Sequence, residues 1–191
     1  MVIRFLIFFI SFWMGFSSLT FAEETGKAEE EGKRVALPWT FAADVDFILD
    51  GDSIRVWGIE DKILFTVSIY GIDCPEEAQP FGFEAKEFIV KALDKKKFQV
   101  TIIKVGPYNT ALGYINVDGA DLGYKLVENG LAEVDRGTAR AFVEPEVKKK
   151  YLGAQEIARK SKVGMWIQGE DYEYPMDYLL RTKKKKKGQR H

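Results

Sequence analysis

Residues 63–77 read ILFTVSIYGIDCPEE, a strand that runs straight into a cluster of carboxylates. Ile63, Phe65, Val67 and Ile69 alternate with Leu64, Thr66, Ser68 and Tyr70, the period of two that buries one face of a β-strand. Working outward, Val45 to Leu49 and Ser53 to Trp57 flank the turn signal Asp50-Gly51 and predict a hairpin. Phe98 to Lys104 is β-branched and alternating, and Leu112 to Val117 is a short strand ended by Asp118-Gly119. Helical spacing appears at Ala85, Phe88, Ile89, Ala92 and Leu93, and again from Asp121 to Asn129 with Gly130 as a stop. A third helix is predicted from Pro145 to about Lys160, with Val147, Tyr151, Ala154 and Ala158 on one face. Three strands, a helix, two strands and two helices make a mainly β fold with α, a small closed barrel with helices at its rim.

The composition limits the chemistry that such a barrel can carry. A chain of 191 residues with 46% apolar and 14% aromatic residues has material for one core plus extensions. Its one cysteine is Cys74 and its one histidine is His191, so a Cys/His zinc site is excluded, and a histidine dyad or triad would have to use the last residue. Neither GxGxxG nor GxxxxGK[ST] occurs. What remains for an enzyme is carboxylate chemistry, with a hard, oxygen-seeking cation if any metal is used.

The two ends differ from the middle. Arg4 followed by the apolar run Phe5 to Phe16 and by Thr20-Phe21-Ala22 has the pattern of a secretory signal over residues 1–22, and an uncleaved anchor is the rival reading. Residues 23–38, rich in Glu, Lys and Gly at their start, read as a charged linker, 39–168 as the domain, and 169–191 as an extension with a basic tail. Residues 23–180 hold 20 basic against 29 acidic residues, while Arg181, Lys183 to Lys187 and Arg190 concentrate positive charge at the end. Such a run is expected to be a solubilising flexible tail, or to attract phosphates, anionic lipid or an acidic partner. Cys74, exported without an intramolecular partner, is expected to be a small buried thiol.

Two turns hold the candidate chemistry. Asp50-Gly51-Asp52-Ser53 joins the first two strands, and Gly71-Ile72-Asp73-Cys74-Pro75-Glu76-Glu77 follows the third. If those strand ends are neighbours, Asp52 and Asp73 face one another and suit a divalent cation, with Glu76 or Glu77 beside them as a base. Each cluster alone is also ordinary turn composition.

These residues carry a resemblance. From Ile48 to Val134 the chain resembles the staphylococcal nuclease (thermonuclease-like) family: Asp50-Gly51-Asp52-Ser53 for its DGDT, Gly71-Ile72-Asp73-Cys74-Pro75-Glu76 for its GIDxPE, and Pro80-Phe81-Gly82-Phe83-Glu84-Ala85 for its PFGxEA. Tyr108, Leu112-Gly113-Tyr114-Ile115 and Leu126-Val127-Glu128-Asn129-Gly130-Leu131-Ala132 continue it, and Ala158-Arg159 leads to Gly164-Met165-Trp166. The resemblance implies a five-stranded OB-fold barrel with three helices, hydrolysing phosphodiester bonds of DNA and RNA with calcium. It implies metal contacts from Asp52, Asp73 and the backbone carbonyl of Cys74, support from Asp50, and Glu76 as general base.

Two positions depart from the family. Its arginine five residues before the metal-binding aspartate is Ser68 here, and the arginine of its YGR motif is Thr110, in Tyr108-Asn109-Thr110. A guanidinium there stabilises charge growing on the phosphate oxygens, and its loss costs about 10²- to 10⁵-fold in rate. The base-stacking aromatic positions are Arg136 and Thr138. Substitute cations are sought in Lys104, at a strand end, and Arg136; with Tyr108 they are the candidate substrate contacts. Arg55, three residues from Asp52 on one strand, is expected to face away. Two expectations follow: an exported calcium-dependent nuclease, weakened or with a rearranged cation, or a non-catalytic barrel that binds nucleic acid, a protein or the cell surface. The first is expected to be weak or lost in activity.

Overall fold

Alternation of apolar residues builds a barrel because each strand has one face to bury and the sheet closes on itself. In the computed structural model, which describes residues 36–138 and 140–188, β1 (Trp39–Ile48), β2 (Ser53–Gly58) and β3 (Leu64–Ile69) form an antiparallel meander. A two-residue strand β4 (Ile72–Asp73) and helix α1 (Gly82–Leu93) lead to β5 (Phe98–Val105) and β6 (Thr110–Val117). The sheet order is β3-β2-β1-β5-β6, and β6 pairs in parallel with β3, Val67 opposite Ala111 and Ile69 opposite Gly113, which closes five strands into the OB-type barrel expected. Ile54, Val56, Val67, Ile69, Val100, Ile102 and Ile115 are fully buried. Burial of each such side chain is worth about 1.5–3 kcal/mol.

After β6 the chain makes the short strand β7 (Ala120–Asp121), helix α2 (Leu122–Glu128), strand β8 (Glu133–Val134) and helix α3 (Pro145–Lys160). Asp121 caps α2, its Oδ1 accepting from the Tyr124 N–H, and Gly130 takes a positive φ of 62° just beyond the helix end. Tyr151, Ala154 and Ala158 of α3 are buried, as their spacing predicts. β8 pairs with β4, Ile72 opposite Val134 and Asp73 opposite Glu133, so the segment after α2 is tied to the acidic turn after β3.

Two features correct the sequence reading. β1 begins at Trp39, six residues before Val45, because Phe41 and Ala43 add two more inward positions that pair with Val100 and Phe98 of β5. A fourth helix, α4 (Pro175–Gly188), stands where three helices and a flexible tail were expected, preceded by a 3-10 stretch (Gly164–Asp171). Periodicity gives little sign of α4, since it holds the lysine run. It is anchored instead by Tyr174, which is buried with the Arg136 guanidinium 4.2 Å over its ring, and by Tyr178, whose hydroxyl donates to the Ala78 carbonyl at 3.0 Å, while Arg181 braces the start of the helix, its Nε and Nη2 donating to Glu173 at 2.7 and 2.6 Å. Among the described residues no helix is long and apolar enough to cross a membrane. The signal over 1–22 lies outside the described residues.

Candidate active site

The hairpin turn between β1 and β2 is shaped by its own aspartate. Asp50 Oδ1 accepts the Asp52 N–H at 3.0 Å, and the Leu49 and Asp50 amides donate to the Ser53 carbonyl at 3.0 and 3.3 Å. This turn presents Asp52 to the end of the barrel. The Ile69 N–H donates to the Asp52 carbonyl at 2.8 Å and the Cys74 N–H to Asp52 Oδ2 at 3.0 Å, so the two acidic turns are laced together and Asp52 and Asp73 line one cleft. Cys74 is the buried thiol expected. Its Sγ donates to the Gly51 carbonyl at 3.0 Å, and burial holds its pKa well above the ordinary thiol value, which keeps it protonated and inert.

Glu76 sits on the next loop, and a glycine sets its position. A Cβ on Gly82, at the start of α1, would lie 2.0 Å from the Glu76 carbonyl oxygen, so only glycine lets the loop fold back onto the helix. Gln79 closes the loop, its Oε1 accepting the Glu76 N–H at 3.2 Å while its own N–H donates to the Glu76 carbonyl at 2.8 Å.

Opposite Asp52 stands a residue that sequence reasoning passed over. Arg140 Nη1 donates to Asp52 Oδ1 at 2.9 Å, an ion pair between a side chain 34% exposed and one only 7% exposed. The segment around Arg140 is pinned on both sides. Asp135 Oδ1 accepts the Gly137 and Thr138 amides at 2.8 and 2.7 Å, and Gly71 N–H donates to the Arg140 carbonyl at 2.8 Å. Phe142 is buried against Tyr70, Tyr114 and Tyr151, and any side chain on Gly71, whose φ is 80°, would meet its ring at 2.2 Å. The cleft enclosed by Asp50, Asp52, Asp73, Glu76, Asp135 and Arg140 measures about 80 Å³, and α4 supplies Met176 and Leu179 to its wall.

Five carboxylates crowd one end of the barrel and repel one another, and the titration of Asp50, Asp73 and Glu76 records it. Asp73 is pushed up to about 7, first by burial and then by the Asp52 charge, with Arg140 pulling the other way. Burial, followed by repulsion from Asp52, also raises Asp50; burial, then Asp50 and Asp52, raises Glu76, which Lys183 and Arg140 pull back down. Among the described residues Asp73 Oδ2 is buried without a hydrogen-bond partner. An orphaned carboxylate oxygen beside a second carboxylate suits a hard cation. Among the described residues no three Asp, Glu, Cys or His side chains converge to enclose a metal, so a cation here would rest on Asp52 and Asp73 and complete its shell with backbone, water and substrate oxygens.

The remaining sequence candidates fall elsewhere. Ser68 pairs with Ser53 across β2 and β3, their hydroxyls 3.3 Å apart, and Ser53 Oγ donates to Asp52 Oδ1 at 2.9 Å, so Ser68 stands one hydroxyl away from Asp52. Thr110 is exposed at the start of β6 and donates to the Pro107 carbonyl at 2.8 Å. Neither Lys104 nor Tyr108 lines the cleft: Lys104 is exposed at the bulge near the end of β5, and Tyr108 is 98% exposed at the hairpin tip. Arg136 is outside it too, held by Glu133 Oε1 through Nε at 2.8 Å and stacked on Tyr174. Arg55 faces away as expected and pairs with Asp46. The signal that could have singled out Arg140 is the Asp135-Arg136-Gly137-Thr138 turn, which sends the chain back toward the acidic loops just before Phe142 re-enters the core.

The family model described as staphylococcal nuclease homologue matches residues 66–168. The chain is 33% identical over 131 residues to a probable endonuclease of Schizosaccharomyces japonicus, covering 62% of this chain and 56% of that protein. It is 29% identical over 140 residues to staphylococcal nuclease domain-containing protein 1 of Drosophila melanogaster, covering 65% and 14% of the two chains. It is 36% identical over 93 residues to Ribonuclease TUDOR 1 of Arabidopsis thaliana, covering 47% and 9%. The chain spans about half the length of the fungal probable endonucleases that it matches.

Proposed function

The chain belongs to the staphylococcal nuclease homologues, and from that premise we propose that it is a calcium-assisted phosphodiesterase of DNA or RNA, slower than a family member with both arginines, in which Arg140 supplies the guanidinium that Ser68 and Thr110 cannot. The observation that carries this reading is the Arg140–Asp52 pair in the cleft that also holds Asp73 and Glu76. Being one-third exposed, the Arg140 side chain has donors free for a phosphate oxygen beyond the one given to Asp52.

Each residue has a separate task in this mechanism. Asp52 and Asp73 would hold the cation, with the Cys74 carbonyl as a further contact and Asp50 in support; a bound calcium ion lends Lewis acidity toward a phosphate oxygen. Glu76, its pKa raised by burial and then by Asp50 and Asp52, accepts the proton of the attacking water. The water oxygen forms a bond to phosphorus, one P–O ester bond breaks, and the departing oxygen takes a proton from solvent. Arg140 holds the equatorial oxygen whose charge grows, an interaction that strengthens toward the transition state and so raises the rate. Arg4 and the apolar run after it support export, with cleavage near Ala22 and action outside the cytoplasm.

A second reading has its own observation. Asp52 Oδ1 already accepts from both Arg140 and Ser53, which suits a stable, non-catalytic barrel that binds nucleic acid without cutting it. The deciding experiment incubates the mature chain with single-stranded DNA and RNA in millimolar calcium or in EGTA, beside Glu76→Ala. Cleavage that needs both calcium and Glu76 supports the phosphodiesterase; binding without cleavage in every lane supports the second reading.

A further inference from the structure

Part of the cleft wall comes from outside the matched family region. Met176 and Leu179 belong to α4, beyond residue 168, and α4 is fastened to the loop that carries Glu76. Gln79 Nε2 donates to the Glu173 carbonyl at 2.6 Å, and the Tyr178 hydroxyl donates to the Ala78 carbonyl at 3.0 Å. Met176, Leu179 and Lys183 are spaced i, i+3, i+7 and share one face of the helix, which places Lys183 one turn past the apolar wall, while Lys185 lies on the opposite face. Lys183, Lys184 and Lys185 are exposed, and none forms an ion pair among the described residues. An acidic body repels a polyanion, so a nucleic acid reaching this cleft needs local cations, and a like-charged run on one helix is relieved when an anion joins it.

We infer that α4 is a working part of the nucleic-acid site. Met176 and Leu179 form an apolar wall for one nucleoside of a single strand, and Lys183 pairs with the phosphate next to the one held at Arg140. This rests on reading the cleft as a phosphodiester site, and it assigns a strand path that leaves the cleft along α4.

Binding without turnover tests the assignment. Fluorescence anisotropy with a fluorescein-labelled oligodeoxythymidine, in EGTA and at several salt concentrations, compares the full chain with Lys183→Ala, Lys185→Ala and Leu179→Ala. Lys183→Ala is expected to raise Kd about fivefold, the worth of one partly screened charge pair, and to flatten the salt slope by about 0.7. Leu179→Ala is expected to weaken binding, and Lys185→Ala to change it less than twofold. Equal losses at Lys183 and Lys185 would overturn the assignment in favour of unspecific attraction to the tail. Tighter binding in Leu179→Ala would overturn it in favour of α4 as a cover over the cleft. Lys183-dependent binding by a chain that cuts nothing in calcium would sink the phosphodiesterase and leave the α4 path standing; calcium-dependent cutting with Lys183-independent binding would do the reverse.

Discussion

Arg140 reaches Asp52 at 2.9 Å across 88 positions of sequence, and the hydroxyl of Ser53 donates to the same carboxylate oxygen. A cation therefore stands at the acidic end of the barrel although Ser68 and Thr110, where the resemblance places arginines, carry no charge. It enters from the far side of the cleft, on the loop between β8 and α3, rather than from β3 or the β5–β6 hairpin. Guanidinium chemistry depends on where the fork lies relative to the phosphate, not on which strand supplies it.

Removing that fork should separate catalysis from folding. Arg140→Lys keeps a charge near Asp52 but loses the paired donors, and cleavage of single-stranded DNA in calcium should fall about 10²-fold or more. Arg140→Ala should lose activity at least as far and also destabilise the domain by about 1–3 kcal/mol, because Asp52 is left buried with less compensation. Adding Ser68→Arg to Arg140→Ala should recover part of the rate, since Ser68 is joined to Asp52 through Ser53. Single-turnover rates and urea melts check this; full activity in Arg140→Ala would refute the relocated cation.

Calcium should act on the pair Asp52 and Asp73. At ten times its Kd, a ligand of the folded state alone adds about 1.4 kcal/mol, a rise of a few degrees in Tm for a domain of this size. The Kd should lie near 10⁻⁴–10⁻³ M, the range of sites with few ligands. Asp73→Asn should abolish the calcium shift, while without calcium it should be neutral or stabilising, because it removes a buried charge that Asp52 repels. Differential scanning fluorimetry with calcium and with EGTA reads both effects, and an unchanged shift in Asp73→Asn would rule the site out.

The barrel was legible from Phe65, Val67, Ile69 and their counterparts because burial imposes a period of two on every strand. The Asp50 and Asp73 turns were legible because a chemistry-bearing residue there follows a strand end directly. Arg140 was not, since a loop has no period and its partner is set by the Asp135 turn and by Phe142 packing on Gly71. The same holds for α4. Its lysines argue for solvent, and Tyr174 under Arg136, the Glu173 carbonyl on Gln79 and the Tyr178 hydroxyl on Ala78 reveal that the extension docks. Lys104 and Arg136 were plausible as cations in one dimension, but the bulge near the end of β5 leaves the first on the surface and Glu133 claims the second.

Gly82 should matter to Glu76 more than to the metal. A methyl group at this position would lie 2.0 Å from the Glu76 carbonyl oxygen, a backbone atom, so Gly82→Ala forces the loop outward instead of displacing a flexible side chain. Glu76 then moves by about an ångström, a displacement able to cost about 10²-fold in rate. Expected is a large fall in kcat with the calcium-dependent Tm shift retained; equal loss of both would mean that the whole cleft has collapsed.

Tyr70 tests whether the Arg140 segment is held in place rather than merely nearby. Its hydroxyl accepts the Val143 N–H at 2.9 Å and donates to Glu144 Oε2 at 3.3 Å, while its ring packs edge-on against Phe142. Tyr70→Phe keeps the ring and removes only the hydroxyl, leaving the Val143 amide without that acceptor at a cost of about 1–2 kcal/mol. The barrel core is untouched, so circular dichroism and the calcium shift should stay as in the wild type. The loss should fall on the chain that follows Arg140, freeing the guanidinium to sample positions away from Asp52. We expect kcat to drop about tenfold with KM nearly unchanged, because the interaction lost is the one that grows in the transition state. Hydrogen exchange should quicken at Val143 in the same variant. If exchange quickens there and the rate does not fall, Arg140 is not the group that stabilises the phosphate.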